Sequence, residues 1–213
     1  MAFWNKEKKY SRATLLEKAA KARGKGKHKV AVAAYREILE HDPLDPETIA
    51  RLASSLAELK NPEAWGRYKL AAEGFLEKGF DKKAAAVLRD AVGYSPKNVD
   101  LWLMLADLQL RLQKRAEAIE VLLQGRAALS GRKDRPDAII LLIRVLQLRA
   151  GQLDVALDLA QLLRKEGRKD EALELLENRT GQPEKADRRR VRRALFNLSP
   201  GFGSLWRWIR ATP

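Results

Sequence analysis

Residues 79–96 read Gly-Phe-Asp-Lys-Lys-Ala-Ala-Ala-Val-Leu-Arg-Asp-Ala-Val-Gly-Tyr-Ser-Pro. A glycine opens the stretch, a small Ala84 follows, Leu88 comes one turn later, and Pro96 closes it. The same order stands at closely matching spacing in Gly26, Ala31, Tyr35 and Pro43. Incomplete copies start at Gly151 with Ala156, and at Gly167 with Ala172 and Leu176. Self-similarity of this kind marks an array of short helical hairpins, each too small to bury its apolar face alone. Arrays bind other macromolecules far more often than they catalyse reactions.

Outward from these copies, the chain reads as helix throughout. Alanine, leucine, lysine, arginine and glutamate dominate, and all favour helix. No run of alternating β-branched residues with hairpin turns is present. Hydrophobic content of 46% excludes general disorder. The first helix is expected near 12–23, with Ala13, Leu16, Ala19 and Ala20 toward the core. The next is expected near 28–41, with Val30, Ala31, Ala34, Tyr35, Ile38 and Leu39 inward. Asp45-Pro46 and Asn61-Pro62 are start signals, a capping side chain followed by proline. Trp65, Tyr68, Ala71, Ala72 and Phe75 are read as one apolar stripe, and Tyr35, Trp65, Phe75 and Trp102 as core wedges. Further helices are expected near 82–92, 99–112, 116–129, 137–149, 153–165 and 169–179. Gly181-Gln182-Pro183 is the expected boundary of the array.

The net charge of +14 sits at the two ends. Residues 1–29 hold ten Lys or Arg and two acids, and residues 182–213 hold eight and two. Residues 30–181 carry 24 of each sign. Such a distribution argues against a uniformly basic nucleic-acid groove. It fits basic ends attracted to something anionic, or ends that keep a stack soluble and stop it growing. Residues 1–11 form a basic, aromatic leader, with Phe3 and Trp4 beside Lys6, Lys8 and Lys9. No signal peptide or apolar run of about 18 residues is found, so a soluble, cytoplasmic protein is expected.

No constellation for an enzyme, metal or cofactor stands out. Cysteine is absent, and His28 and His41 are thirteen residues apart on one helix. Arg23-Gly24-Lys25-Gly26-Lys27 follows a helix instead of a strand and lacks the Lys-Ser/Thr pair of a phosphate loop. The C-terminal stretch is richer. Val191, Ala194, Leu195 and Leu198 share a face that suits a capping helix, with Arg189, Arg190 and Arg193 turned outward. Trp206, Arg207, Trp208 and Arg210 follow. Basic and aromatic residues together suit a partner's groove or an anionic surface.

These residues resemble tetratricopeptide repeat proteins, in particular bacterial ones with short cytoplasmic arrays. Laid from Arg12, the family's 34-residue unit puts Ala19 and Gly26 in the first helix and turn, then Ala31, Tyr35 and Pro43. Laid from Trp65 it reaches Ala71-Ala72, Phe75, Gly79, Ala84, Leu88 and Pro96; laid from Val99 it meets Trp102, Leu105-Ala106 and Ala118. Helix 61–78 serves twice, closing one hairpin and opening the next. The resemblance implies an all-α, right-handed α-solenoid of antiparallel hairpins over residues 12–182, with about four to five repeats and the later ones degenerate. Residues 183–213 would be an Arg-rich capping helix and a Trp-containing tail. It implies a non-enzymatic scaffold whose concave face binds a protein partner through Arg51, Ser54, Lys69, Glu73, Leu103, Asp107 and Arg111. The paired Lys and Asn that grip a chaperone's terminal carboxylate are absent, since Leu16 and Ala20, and later Lys69 and Glu73, hold those places. Nucleic acid or an acidic membrane is the alternative partner, through the basic ends.

Overall fold

The computed structural model describes residues 10–179 and 184–199. Among them are eleven α-helices and no strand. The chain divides between Ser95 and Pro96 into two compact units.

The first unit contains α1 (Arg12–Gly24), α2 (His28–His41), α3 (Pro46–Glu58), α4 (Glu63–Glu77) and α5 (Asp81–Tyr94). Their starts follow from local chemistry. The Ser11 hydroxyl accepts from the Thr14 N–H, and the Asp45 carboxylate accepts from the Thr48 N–H at 3.2 Å. Asn61 Oδ1 accepts from the Glu63 N–H at 2.9 Å. Each bond satisfies a donor that a first helical turn leaves orphaned.

Three hairpins in this unit are closed by one turn type. Gly26 (φ 67°), Lys60 (φ 52°) and Gly79 (φ 74°) are left-handed. In each, the N–H of the following residue bonds the carbonyl five back: Lys27 to Ala22 at 2.8 Å, Asn61 to Leu56 at 3.0 Å, Phe80 to Phe75 at 2.8 Å. This is the Schellman closure, which ties off a helix and reverses the chain. Because α4 is entered through Lys60 and left through Gly79, it belongs to two hairpins.

Each helix packs on the next, and α3 also touches α5. Ala19, Ala31, Ala53, Ala72 and Ala84 are fully buried, which lets helix axes approach closely. Tyr35, Ile38, Leu52 and Leu88 fill the spaces between them. Each large side chain so buried contributes on the order of 1.5–3 kcal/mol.

Three expectations are corrected here. On α1 the buried residues are Leu15, Ala19 and Ala22; Ala13 and Ala20 are exposed and Leu16 is half-buried. Val30 is exposed and Val32 is buried, because the inward line runs through Ala31, Ala34, Tyr35 and Ile38. On α4 the inward line starts at Ala64, so Trp65, one residue round the helix, is 40% exposed and no core wedge.

The second unit contains α6 (Val99–Arg111), α7 (Arg115–Ala128), α8 (Arg135–Leu148), α9 (Leu153–Lys165), α10 (Lys169–Glu177) and α11 (Lys185–Leu198). Two of its hairpins use the same closure, at Gln113 (φ 62°) and Gly167 (φ 80°). Lys114 bonds Gln109 at 2.8 Å and Arg168 bonds Leu163 at 2.9 Å. Trp102 packs against Gly125, and its indole N–H donates to the Pro96 carbonyl at 2.8 Å. α6 touches α8, and α9 touches both α10 and α11. On α11, Val191 and Leu198 are buried, while Ala194 and Leu195 are half-buried.

The left-handed turns carry a prediction. A residue with a Cβ in this conformation costs about 1–2 kcal/mol, while glycine loses more chain entropy on folding. Lys60→Gly and Gln113→Gly are therefore each expected to stabilise the chain by roughly 0.5–1 kcal/mol. Gly79→Ala is expected to destabilise it by about 1 kcal/mol. Urea denaturation followed by circular dichroism reads both signs.

Candidate functional site

The seven residues expected to line a binding face fall into both units. In the first unit, Arg51 and Ser54 lie one turn apart on α3. Arg23 of α1 donates to the Ser54 hydroxyl at 3.2 Å. Tyr68 of α4 is buried beside them. Burial, then Asp90, pushes its hydroxyl above the usual tyrosine value, while a hydrogen bond with Ser54 and the Arg23 charge pull it back. Arg51 pairs with Glu47 at 3.3 Å, and Glu47 accepts from Lys83 of α5 at 3.0 Å. The Lys83 ammonium also lies 5.5 Å from the ring centres of Phe75 and Phe80. The result is a polar line across α1, α3 and α5. Lys69 and Glu73 are half-buried a turn apart on α4, and neither makes a hydrogen bond or ion pair among the described residues.

The hydrogen bond from Lys83 is the main cause holding the Glu47 carboxyl below its ordinary 4.5; burial opposes it and Arg51 assists. The Glu63 carboxyl is lowered in the same way, first by Arg67. A lowered folded-state pKa means the native chain holds the charged form more tightly than the unfolded chain does. The stabilisation is complete above the unfolded value and fades as pH falls through the lowered one. Both side chains are partly exposed, so solvent screening keeps the contribution small. The melting temperature of the Glu47→Gln variant is expected to fall less steeply than the wild type's as pH drops below about 4.5. Melts across a pH series check this.

In the second unit, Asp107 of α6 pairs with Arg144 of α8 at 2.8 Å. Arg144 also donates to Gln147 at 3.3 Å. Both partners sit past the midpoint of their helices, and α6 and α8 touch. One turn back from the pair lie Leu103, half-buried, and Ile140, 45% exposed. Ile143 beside them is 37% exposed. Arg111 is exposed one turn beyond Asp107. Sequence reading did not mark Ile140, Ile143 or Arg144 for this face. The available signal was the run from Ala138 to Ile143, which holds more apolar residues than one helix face can bury.

Of the C-terminal residues, Arg189, Arg190 and Arg193 stand on α11. Arg190 pairs with Asp154 of α9 and with Asp187 at 3.3 Å. Trp206, Arg207, Trp208 and Arg210 lie outside the described residues. Among the described residues, no group of three or more His, Cys, Asp or Glu is placed to hold a metal ion. No described helix is long and apolar enough to cross a membrane.

Residues 82–133, which take in most of α5, all of α6 and α7 and the turn after them, match the profile of the tetratricopeptide repeat family. Over that stretch the chain is similar to tetratricopeptide repeat proteins. Its fold is an all-α helical solenoid of stacked hairpins within each unit. Solved structures similar to it include a thermophilic tetratricopeptide repeat protein of Thermus thermophilus. That one is 22% identical, with 87% of this chain and 100% of that one covered at a TM-score of 0.28. The Pseudomonas aeruginosa protein pilF is 18% identical, with 93% and 96% covered at a TM-score of 0.28. A tetratricopeptide repeat protein of Parabacteroides merdae ATCC 43184 is 15% identical, with 92% and 88% covered at a TM-score of 0.32. No curated protein sequence matches the chain. Tetratricopeptide repeats commonly serve as protein-interaction scaffolds and are typically non-catalytic.

Proposed function

We propose that the chain is a cytoplasmic, non-enzymatic scaffold that binds a protein partner through its helix faces, its basic C-terminal segment, or both. Residues 12–182 carry the repeats in this reading, and 183–213 form an appended basic cap and tail. The observation that carries it is the face of the second unit where Ile140 and Ile143 stand exposed beside the Asp107–Arg144 pair. Exposed branched apolar side chains rimmed by opposite charges are what a partner's apolar anchors and polar flanks require. The groove residues Leu103, Asp107 and Arg111 belong to the same face, and Arg51, Ser54, Lys69 and Glu73 supply a more polar one in the first unit.

Affinity purification of the wild-type chain beside an Ile140→Asp/Ile143→Asp variant tests this reading. A partner retained by the wild type and lost from the variant supports it. Identical partner sets on both chains would remove this face from the proposal.

The charge at the two ends favours a second reading, attachment to an anionic surface. Such binding is electrostatic, with each Lys or Arg adding about 1 kcal/mol at an acidic membrane. Nucleic-acid binding by this route weakens steeply with salt. Binding to duplex or to acidic vesicles that holds constant between low and high salt would exclude it.

A further inference from the structure

We infer that an acidic amphipathic helical segment of a partner protein docks in the cleft between α9 and α11. This inference rests on the scaffold reading and names the partner's chemistry at the C-terminal end. The cleft has a volume of about 330 Å³. Its floor is apolar, formed by Leu157 and Ala160 of α9 and by Ala194 and Leu198 of α11. Its rim is cationic, with Arg164 on one side and Arg193 on the other. Arg190 also lines it, but its guanidinium is held by Asp154 and Asp187. Among the described residues Arg193 makes no ion pair, and Arg164 donates to the Asn197 carbonyl, at 3.4 Å, and pairs with no carboxylate. α11 carries six Lys or Arg against one acid, Asp187.

An apolar trough between two cationic edges selects its occupant. A helix with apolar side chains on one stripe and carboxylates on both flanks fills the trough and meets the arginines. A lipid bilayer matches less well, because the apolar groups line a recess instead of protruding into the acyl layer. A nucleic-acid backbone would leave the apolar floor unused. The chain's own Leu205-Trp206-Arg207-Trp208-Ile209-Arg210 offers apolar groups, but its charged residues, Arg207 and Arg210, have the same sign as the cleft's rim. Like charges there are repulsive. Charge complementarity therefore points to an acidic partner.

The test uses the full chain and a fluorescein-labelled helical peptide with leucines at i, i+3, i+4 and i+7 and glutamates on both flanks. A second peptide replaces every glutamate by lysine. Fluorescence anisotropy is expected to show the acidic peptide binding at least about tenfold more tightly than the lysine peptide. Arg164→Glu/Arg193→Glu is expected to reverse that preference, which a general loss of structure would not do. Ala194→Trp fills the trough, and it is expected to abolish binding of either peptide at an unchanged melting temperature. Equal binding of the two peptides overturns the inference, as does indifference to both variants. It is also overturned if phosphatidylserine vesicles bind the chain while the acidic peptide does not. A synthetic peptide of residues 200–213 that outcompetes the acidic probe assigns the cleft to the tail instead. If the acidic peptide fails while a partner still depends on Ile140 and Ile143, only this inference falls. The scaffold reading falls if no partner depends on any helix face.

Discussion

Trp102→Ala is expected to lower the unfolding free energy of the second unit by about 3–5 kcal/mol. The indole is 7% exposed and lies against α7 at Gly125. Alanine would remove most of that buried area and leave a cavity that the surrounding leucines refill only in part. It would also strip the Pro96 carbonyl of its indole donor, now at 2.8 Å. Trp102→Phe separates the two contributions. It keeps an aromatic ring in place and loses the hydrogen bond, so it is expected to cost less, with about 1 kcal/mol of that loss from the bond itself. Urea denaturation of the three chains reads the difference. A Trp102→Ala chain as stable as the wild type would mean that the indole does not hold α6 to α7.

Gly125→Val is the converse change and is expected to cost about 3 kcal/mol by overpacking. A Cβ at this position would sit 2.7 Å from the Trp102 ring and 2.9 Å from Leu141 Cδ1. The Leu141 methyl is a side-chain end that can give way, but the nearest atom, an inner ring carbon of the buried Trp102 indole, cannot. α7 would have to move away from α6, from α8, or from both. The two substitutions share one space, so they should not add. In the Trp102→Ala background the valine enters the vacated volume and its cost is expected to shrink or change sign. A double-mutant cycle in urea measures the coupling. Additive effects would show that Gly125 and Trp102 do not share a contact.

The hairpin plan was legible because glycine marks three of the five left-handed turns, at Gly26, Gly79 and Gly167. The other two carry Lys60 and Gln113, and nothing in those side chains announces a positive φ. The dual role of α4 was nonetheless readable, since Asn61-Pro62 opens it and Gly79 closes it. Aromatic residues misled at one position. Trp65 fits a 3,4 pattern with Tyr68 and Ala72, but Ala64 fits equally well and takes the inward place. A short alanine permits close helix approach where an indole would prevent it.

The candidate site was less legible than the fold. Residues on one helix, such as Leu103, Asp107 and Arg111, share a face by spacing alone. The Asp107–Arg144 pair spans 37 positions and depends on how α6 and α8 are staggered. Stagger is a property of packing between helices, and no local pattern encodes it. Ile140 and Ile143 were hidden for a related reason. The run around them is apolar on every side, so only the neighbours decide which residues face outward. The α9–α11 cleft, which Leu176 of α10 also lines, needs three helices in place before its apolar floor and basic rim exist together.

The most direct test is a calorimetric titration of the partner recovered with the wild-type chain, against wild type and Ile140→Asp/Ile143→Asp. An affinity weaker by at least about tenfold, or 1.4 kcal/mol, at an unchanged melting temperature is the predicted result. Equal affinity for the two chains would contradict the claim that this exposed helix face is where the protein acts.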